Sequence, residues 1–225
     1  GYLVHARGGT APPLDADGVA GLHEGPNVPF RDDLRVPVLC FEAETDLITL
    51  GYYPARQPDN DRFRLWEVAG LAHADVYTFV VGRIDSGALS IAELAEAWRP
   101  TDSPMGFELD HPVNVGPQRY VLSAALRRLD RWVRDGTPPP TAPRLEVDPD
   151  GEPSFVVDEH GIARGGIRTP HVDVPVARGV LVHRADGAAG TMLFLHNLAA
   201  EPSTVDLSSL RGEAEVLRLI ARDEY

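Results

Sequence analysis

The stretch "RLWEVAGLAHADVY" (Arg64–Tyr77) sets His73 among Gly70, Leu71, Ala72 and Ala74, with Asp75 two places on. Neighbours this small leave an imidazole open to an approaching molecule. Just upstream, "VPVLCFEAETD" (Val36–Asp46) is an apolar run that closes on three acids, Glu42, Glu44 and Asp46. A histidine within folding reach of a carboxylate forms a proton-transfer pair. The imidazole takes up a proton near neutral pH, while the acid holds its tautomer and stabilises the imidazolium. Such a pair can activate a hydroxyl, because serine is a poor nucleophile until a base removes its proton. Counted from the start of the strand, Asp46 is the leading acid candidate, Glu44 the second, and Glu42 a supporting residue.

The elements that must position this pair follow from patterning. "YLVHA" predicts a short strand followed by a Gly/Pro-rich loop. The near-continuous apolar character of "LRVPVLCFEAETD", with acids only at its end, predicts a strand covered on both faces, as in a parallel sheet flanked by helices. "FRLWEVAG" predicts a second strand, closing on the glycine-containing turn that carries His73. In "SIAELAEAW", Ser90 and Glu93 stand in capping-box positions, with Ile91, Leu94 and Trp98 on one face of a short helix. "QRYVLSAALRRLDRWVRDG" predicts the longest helix. Its apolar stripe is Val121, Leu122, Ala125, Leu126, Leu129, Trp132 and Val133, and it stops at Gly136 and the proline run 138–140. "RLEVDPDGEPSFVVDEHGIA" predicts a hairpin turning at Asp148–Gly151, and "RGGIRTPHVDVPVA" an irregular segment extended around its prolines. From Val180 the runs "VLVHR", "TMLFLHNLA", "STVDL" and "EVLRLI" predict an antiparallel meander of about four strands. The expected class is therefore α/β, residues 1–178, followed by a small antiparallel β segment, residues 179–225.

Composition narrows the function classes. A net charge of −13 argues against a nucleic-acid or anionic-membrane surface. No run approaches the roughly 18 apolar residues of a membrane span. A single cysteine, Cys40, sits inside an apolar strand, which leaves neither a disulfide framework nor a thiolate metal site and predicts a buried structural thiol. No cofactor or metal is expected. His171 and Asp173 in "TPHVDV" are two donors only, too few for a metal site. "GYLVHARGG" enters directly on a strand-like run, unlike a natural start, and composition leaves the compartment open.

Four blocks in one order carry a resemblance: "VPVLCFEAETDL", "RLWEVAGLAHAD", "NVGPQRYVLSAALRRLDRWVRDGTPPP" and "GIARGGIRTPHVDVPVA". Over residues 1–178 the chain resembles the C-terminal half of a bacterial α/β-hydrolase-domain family of carboxylic ester hydrolases. The resemblance implies the chain order serine, acid, histidine, with His73 as the family's histidine and its acid at Asp46 or Glu44. It implies a small ester substrate. It also implies a nucleophile on a Gly-x-Ser-x-Gly elbow before the acid, yet no such motif occurs in the 225 residues. Ser86, Ser90, Ser103 and Ser123 all follow the histidine, and none has a glycine two places away on either side. The expectation is a chain from which the elbow, the early strands and the oxyanion hole have been cut away. Removing the serine of a hydrolytic triad costs about 10⁶ in turnover, so this chain is expected to be close to inert alone. Missing strands would leave an unpaired sheet edge open to association with another chain.

The tail resembles something else. "GTMLFLHNLAAEPSTVDLSSLRG" (Gly190–Gly212) is similar to part of the C-terminal β-domain of trehalose synthase and related α-amylase-family enzymes. That domain carries no catalytic residues, and it implies a non-catalytic alternative: a remnant, or an accessory β-domain linked to α-glucan metabolism.

Other features read as structural. "ARQPDNDRFR" reads as a solvated loop, with a substrate-facing Arg56 or Asp59 as the lesser alternative. Asn114, Gly116 and Pro117 set a turn before the long helix, and the three tryptophans read as packing. Gly165 and Gly166 allow a positive φ or a close backbone approach, either towards the nucleophile region or in a tight packed turn.

Overall fold

A computed structural model describes residues 1–11, 25–84, 87–97, 113–114, 116–159, 161–173, 180–187 and 190–197. Three strands, β1 (Tyr2–His5), β2 (Val38–Ala43) and β3 (Phe63–Val68), form a parallel sheet in the order β1-β2-β3. In register, His5 lies opposite Phe41, and Glu42 and Ala43 lie opposite Glu67 and Val68, so all three strands end at one edge. The fold is α/β: a parallel sheet with flanking helices, plus two small antiparallel pairs.

All six residues of β2 are buried. Alternation explains how. Leu39, Phe41 and Ala43 join Trp66 and Val68 on one face, where Ala125, Leu129 and Trp132 of the long helix pack. Val38, Cys40, Phe63 and Leu65 point the other way, onto Tyr52 and Ala55. Between β2 and β3 lie α1 (Glu44–Leu47) and a 3₁₀ turn (Tyr53–Ala55). After β3 come α2 (Val76–Ile84), α3 (Ile91–Ala97) and α4 (Gln118–Asp135).

The expected capping box forms at α3: Glu93 N–H donates to Ser90 Oγ at 3.3 Å, and Ser90 N–H donates to Glu93 Oε2 at 2.8 Å. Ile91, expected on the apolar face, is instead exposed, and Trp98 lies outside the described residues. On α4 the buried stripe is narrower than patterning predicts. Ala125, Leu129 and Trp132 are buried, but Leu126 and Val133 remain 52% and 51% exposed. The helix rests on β1 and β2, a platform wide enough to cover the centre of the stripe and not its flanks. Gly136, at φ +76°, ends α4 by donating its N–H to the Trp132 carbonyl.

The loop after the 3₁₀ turn is not the solvated surface its charge suggests. Arg56 forms a two-pronged ion pair with buried Glu67 and also donates to the Leu145 carbonyl at 3.0 Å. Asp59 pairs with Arg144 at 2.7 Å and accepts the Leu65 N–H at 3.0 Å. Both residues tie the 144–146 segment to β3.

The hairpin predicted at Asp148–Gly151 forms as β4 (Val147–Asp148) and β5 (Ser154–Phe155), paired antiparallel. The paired glycines serve packing. A Cβ at Gly165 would collide with the Arg144 carbonyl oxygen, and one at Gly166 would lie 2.8 Å from Leu145 Cδ2 and 3.0 Å from the Glu67 carbonyl oxygen. Beyond them Ile167 bridges in parallel to Val68. Pro170 then opens a short helix, α5 (Pro170–Asp173), where an extended stretch was expected. Proline suits the first turn of a helix as well as extended chain, because its missing N–H would have no partner there. Asp173 is engaged by Arg168 at 2.5 Å.

In the tail, β6 (Val180–Gly187) and β7 (Gly190–Asn197) pair antiparallel, as expected for the first two strands of the meander. "STVDL" and "EVLRLI" lie outside the described residues.

Candidate active site

The carboxyl edge of the sheet positions the chemistry. The chain leaves β2 at Ala43 and turns at once into α1, which points Asp46 back towards the strand end. The Asp46 side chain is fully buried, and its Oδ2 accepts the Ala43 N–H at 2.6 Å. That bond fixes the carboxylate and leaves Oδ1 for another partner. The partner is His73, whose Nδ1 lies 2.7 Å from Asp46 Oδ1. With Nδ1–H donating to the carboxylate, the neutral ring carries its free lone pair on Nε2. The acid is closed off from water while the His73 side chain is 47% exposed. An anchored acid behind an accessible imidazole is the geometry a general base requires.

Glu44 goes elsewhere. Its Oε1 accepts the Gly70 N–H at 2.6 Å, so it holds the start of the histidine turn, while the hydrogen bond to His73 is made by Asp46. Glu42 is also fully buried; its Oε2 accepts the Arg7 N–H at 3.1 Å and its Oε1 accepts from the Cys40 thiol at 2.9 Å. Burial above all, with a further push from the nearby Asp46 charge, raises the Glu42 carboxyl to about 8. Burial likewise raises the Cys40 thiol well above its ordinary value, with the Glu42 carboxylate adding to the effect. Asp75, two places past the histidine, caps α2: its Oδ1 accepts from both the N–H and the hydroxyl of Thr78 at 2.8 Å.

The turn from Gly70 to Asp75 is shaped by its surroundings. Gly70 adopts φ +74°, and a Cβ there would collide with Val172 Cγ1. Asn114, which patterning gives only a turn-setting role, reaches back across the turn. Its Nδ2 donates to the Gly70 carbonyl at 3.2 Å, its own carbonyl accepts the Val76 N–H at 2.8 Å, and its Oδ1 accepts the Gly116 N–H at 2.6 Å. The only advance signal was the Asn-x-Gly spacing, which does not say what the side chain will reach. His5, at the end of β1, stacks at a tilt on Phe41 with ring centroids 5.4 Å apart. Its burial lowers its pKa, against the opposing pull of the Asp46 charge.

Residues 1–204 match the family model described as alpha/beta hydrolase domain. The chain belongs to this family. The family match runs beyond residue 178 and takes in both β6 and β7. No curated protein and no solved structure gives a significant match. Among the described residues no helix is long and apolar enough to cross a membrane.

Proposed function

We propose that this hydrolase-family chain supplies the acid–base half of a carboxylic ester hydrolase. In this reading His73 is the general base and then the general acid, Asp46 orients its ring, and a serine from outside these 225 residues is the nucleophile. The 2.7 Å contact between His73 Nδ1 and buried Asp46 is the observation that carries the reading. His73 Nε2 takes the serine proton as the oxygen attacks the acyl carbon, then returns that proton to the departing alcohol. Water, deprotonated in turn by Nε2, attacks the acyl carbon, and the same proton passes to the serine oxygen as it leaves, releasing the acid and restoring the enzyme. The serine-bearing segment enters beside β1, whose far edge has no strand partner among the described residues.

Two measurements test this. The purified chain, mixed with a fluorophosphonate probe and a short-chain nitrophenyl ester, should show no labelling and no burst; robust turnover would overturn the external nucleophile. A longer product that adds an in-frame Gly-x-Ser-x-Gly segment before Gly1 should label. There, His73→Ala should lower ester turnover by about 10³ or more, and unchanged turnover would remove His73 from the mechanism.

A second reading makes the tail an accessory β-domain of the amylase type, favoured by the antiparallel pairing of β7, which opens the resembling stretch, with β6 just before it. Titration with maltooligosaccharides distinguishes it: saturable binding that survives His73→Ala supports it, and none refutes it.

A further inference from the structure

The histidine turn is gripped at a single peptide residue from two directions. Glu44 Oε1 accepts the Gly70 N–H at 2.6 Å, and Asn114 Nδ2 donates to the Gly70 carbonyl at 3.2 Å. Glu44 adds a backbone bond to the same turn, its N–H donating to the Leu71 carbonyl at 3.2 Å. Asn114 closes the far end by accepting the Val76 N–H at 2.8 Å, so the span containing His73 is pinned at both ends. Gly116 keeps the asparagine in place: its N–H donates to Asn114 Oδ1, and a Cβ at that position would lie 2.5 Å from the same oxygen. Glu44 stands two residues before Asp46 on the same short helix, so the acid's own helix also holds the base's turn.

We infer that Glu44 and Asn114 are positioning residues that lock the Gly70–Val76 turn and thereby set the His73–Asp46 contact. The inference deepens the catalytic reading of His73 and rests on it for its importance, but the geometry it describes is measurable without any turnover. A half-exposed imidazole holds a hydrogen bond in one geometry only if the backbone that carries it is fixed. Glu44 acts here through the acceptor oxygen and not through its charge. Gln at position 44 keeps that oxygen, and Ala does not. At position 114, Asp would keep the bond to Gly116 but lose the donor to Gly70.

The experiment follows the His73 Nδ1 proton by ¹⁵N-edited NMR on the 225-residue chain, assigned by its loss in His73→Gln. Hydrogen exchange at the Gly70 amide is measured in parallel. Glu44→Ala and Asn114→Ala should broaden or remove the Nδ1 signal. Glu44→Ala should also speed Gly70 exchange by about tenfold, the effect of losing one hydrogen bond at the upper end of the usual range. Glu44→Gln should retain the signal, and Asn114→Asp should lose it. A sharp signal in Glu44→Ala would overturn the inference, and so would Glu44→Gln behaving like Glu44→Ala. If Glu44→Ala fails to fold, the comparison of Glu44→Gln with Asn114→Asp decides. A chain that shows this pattern while the elbow-containing product tolerates His73→Ala would keep the clamp and lose the catalytic reading.

Discussion

Arg56 and Glu67 face each other in a two-pronged ion pair, Nε to Oε1 at 2.7 Å and Nη2 to Oε2 at 2.6 Å, with the glutamate fully buried. Glu67 Oε2 also accepts the Leu145 N–H at 2.7 Å. Removing one partner of such a pair leaves the other without compensation. Arg56→Ala should therefore destabilise the chain by about 3 kcal/mol or more in urea unfolding. Replacing both partners, as Arg56→Met with Glu67→Leu, should recover only part of that loss, because the Leu145 N–H and carbonyl that the pair serves are left unpaired. Equal losses in the single and double variants would show that the pair carries no such coupling.

The narrow stripe on α4 predicts a sharp contrast between neighbours. Trp132 is buried against the sheet and receives the Arg64 guanidinium over its ring at 5.4 Å. Trp132→Ala should cost about 3–5 kcal/mol. Leu126→Ala, at an exposed site, should stay within about 0.5 kcal/mol. Thermal unfolding of the two variants checks the orientation of the helix directly.

Glu42 predicts a pH slope. Its folded-state value of about 8 lies above the ordinary 4.5, so between these values the unfolded chain ionises while the folded chain keeps its proton. The folded state then holds more protons, and stability falls as pH rises through this window, with the whole penalty present above about 8. Glu44 and Glu67 are raised by burial in the same sense, so the wild-type slope is a sum. Glu42→Gln should flatten part of it. Urea unfolding at pH 5 and pH 8.5 should show the variant gaining on the wild type at the higher pH. A wild-type advantage that grows with pH would refute the assignment.

Two glycines with similar backbones should respond differently to a methyl group. Gly136 has φ +76° with open space around it, and Gly165 has φ +74° with the Arg144 carbonyl in the way. Gly136→Ala should cost about 1 kcal/mol from the left-handed conformation alone. Gly165→Ala should cost about 2 kcal/mol or more, since backbone must also move. Paired melting curves measure the difference.

How much of this was visible in the residues depends on the distance each signal spans. β2 and β3 are legible because burial on both faces leaves mostly apolar runs, and the histidine and the acid cluster lie at or just beyond their ends. Choosing among Glu42, Glu44 and Asp46 needed the turn of α1, which sends Asp46 Oδ1 to His73 and Glu44 to Gly70. Asn114 was illegible as a clamp because its target lies 44 residues earlier. Arg56 and Asp59 read as solvent-facing because their partners, Glu67 and Arg144, belong to other segments. The helix at Pro170 is not legible because a proline permits either outcome, and the packing of Val172 beside Gly70 joins segments about a hundred residues apart.

Cys40 lies in the central strand, shielded on every side, and it is the sole thiol of the chain. A disulfide-exchange reagent added to native protein should find nothing to attack, because the sulfur is inaccessible and held in its unreactive protonated form. Any modification then requires strand separation. The molecule thus contains an intrinsic gauge of how often its sheet comes apart, readable without attaching a label.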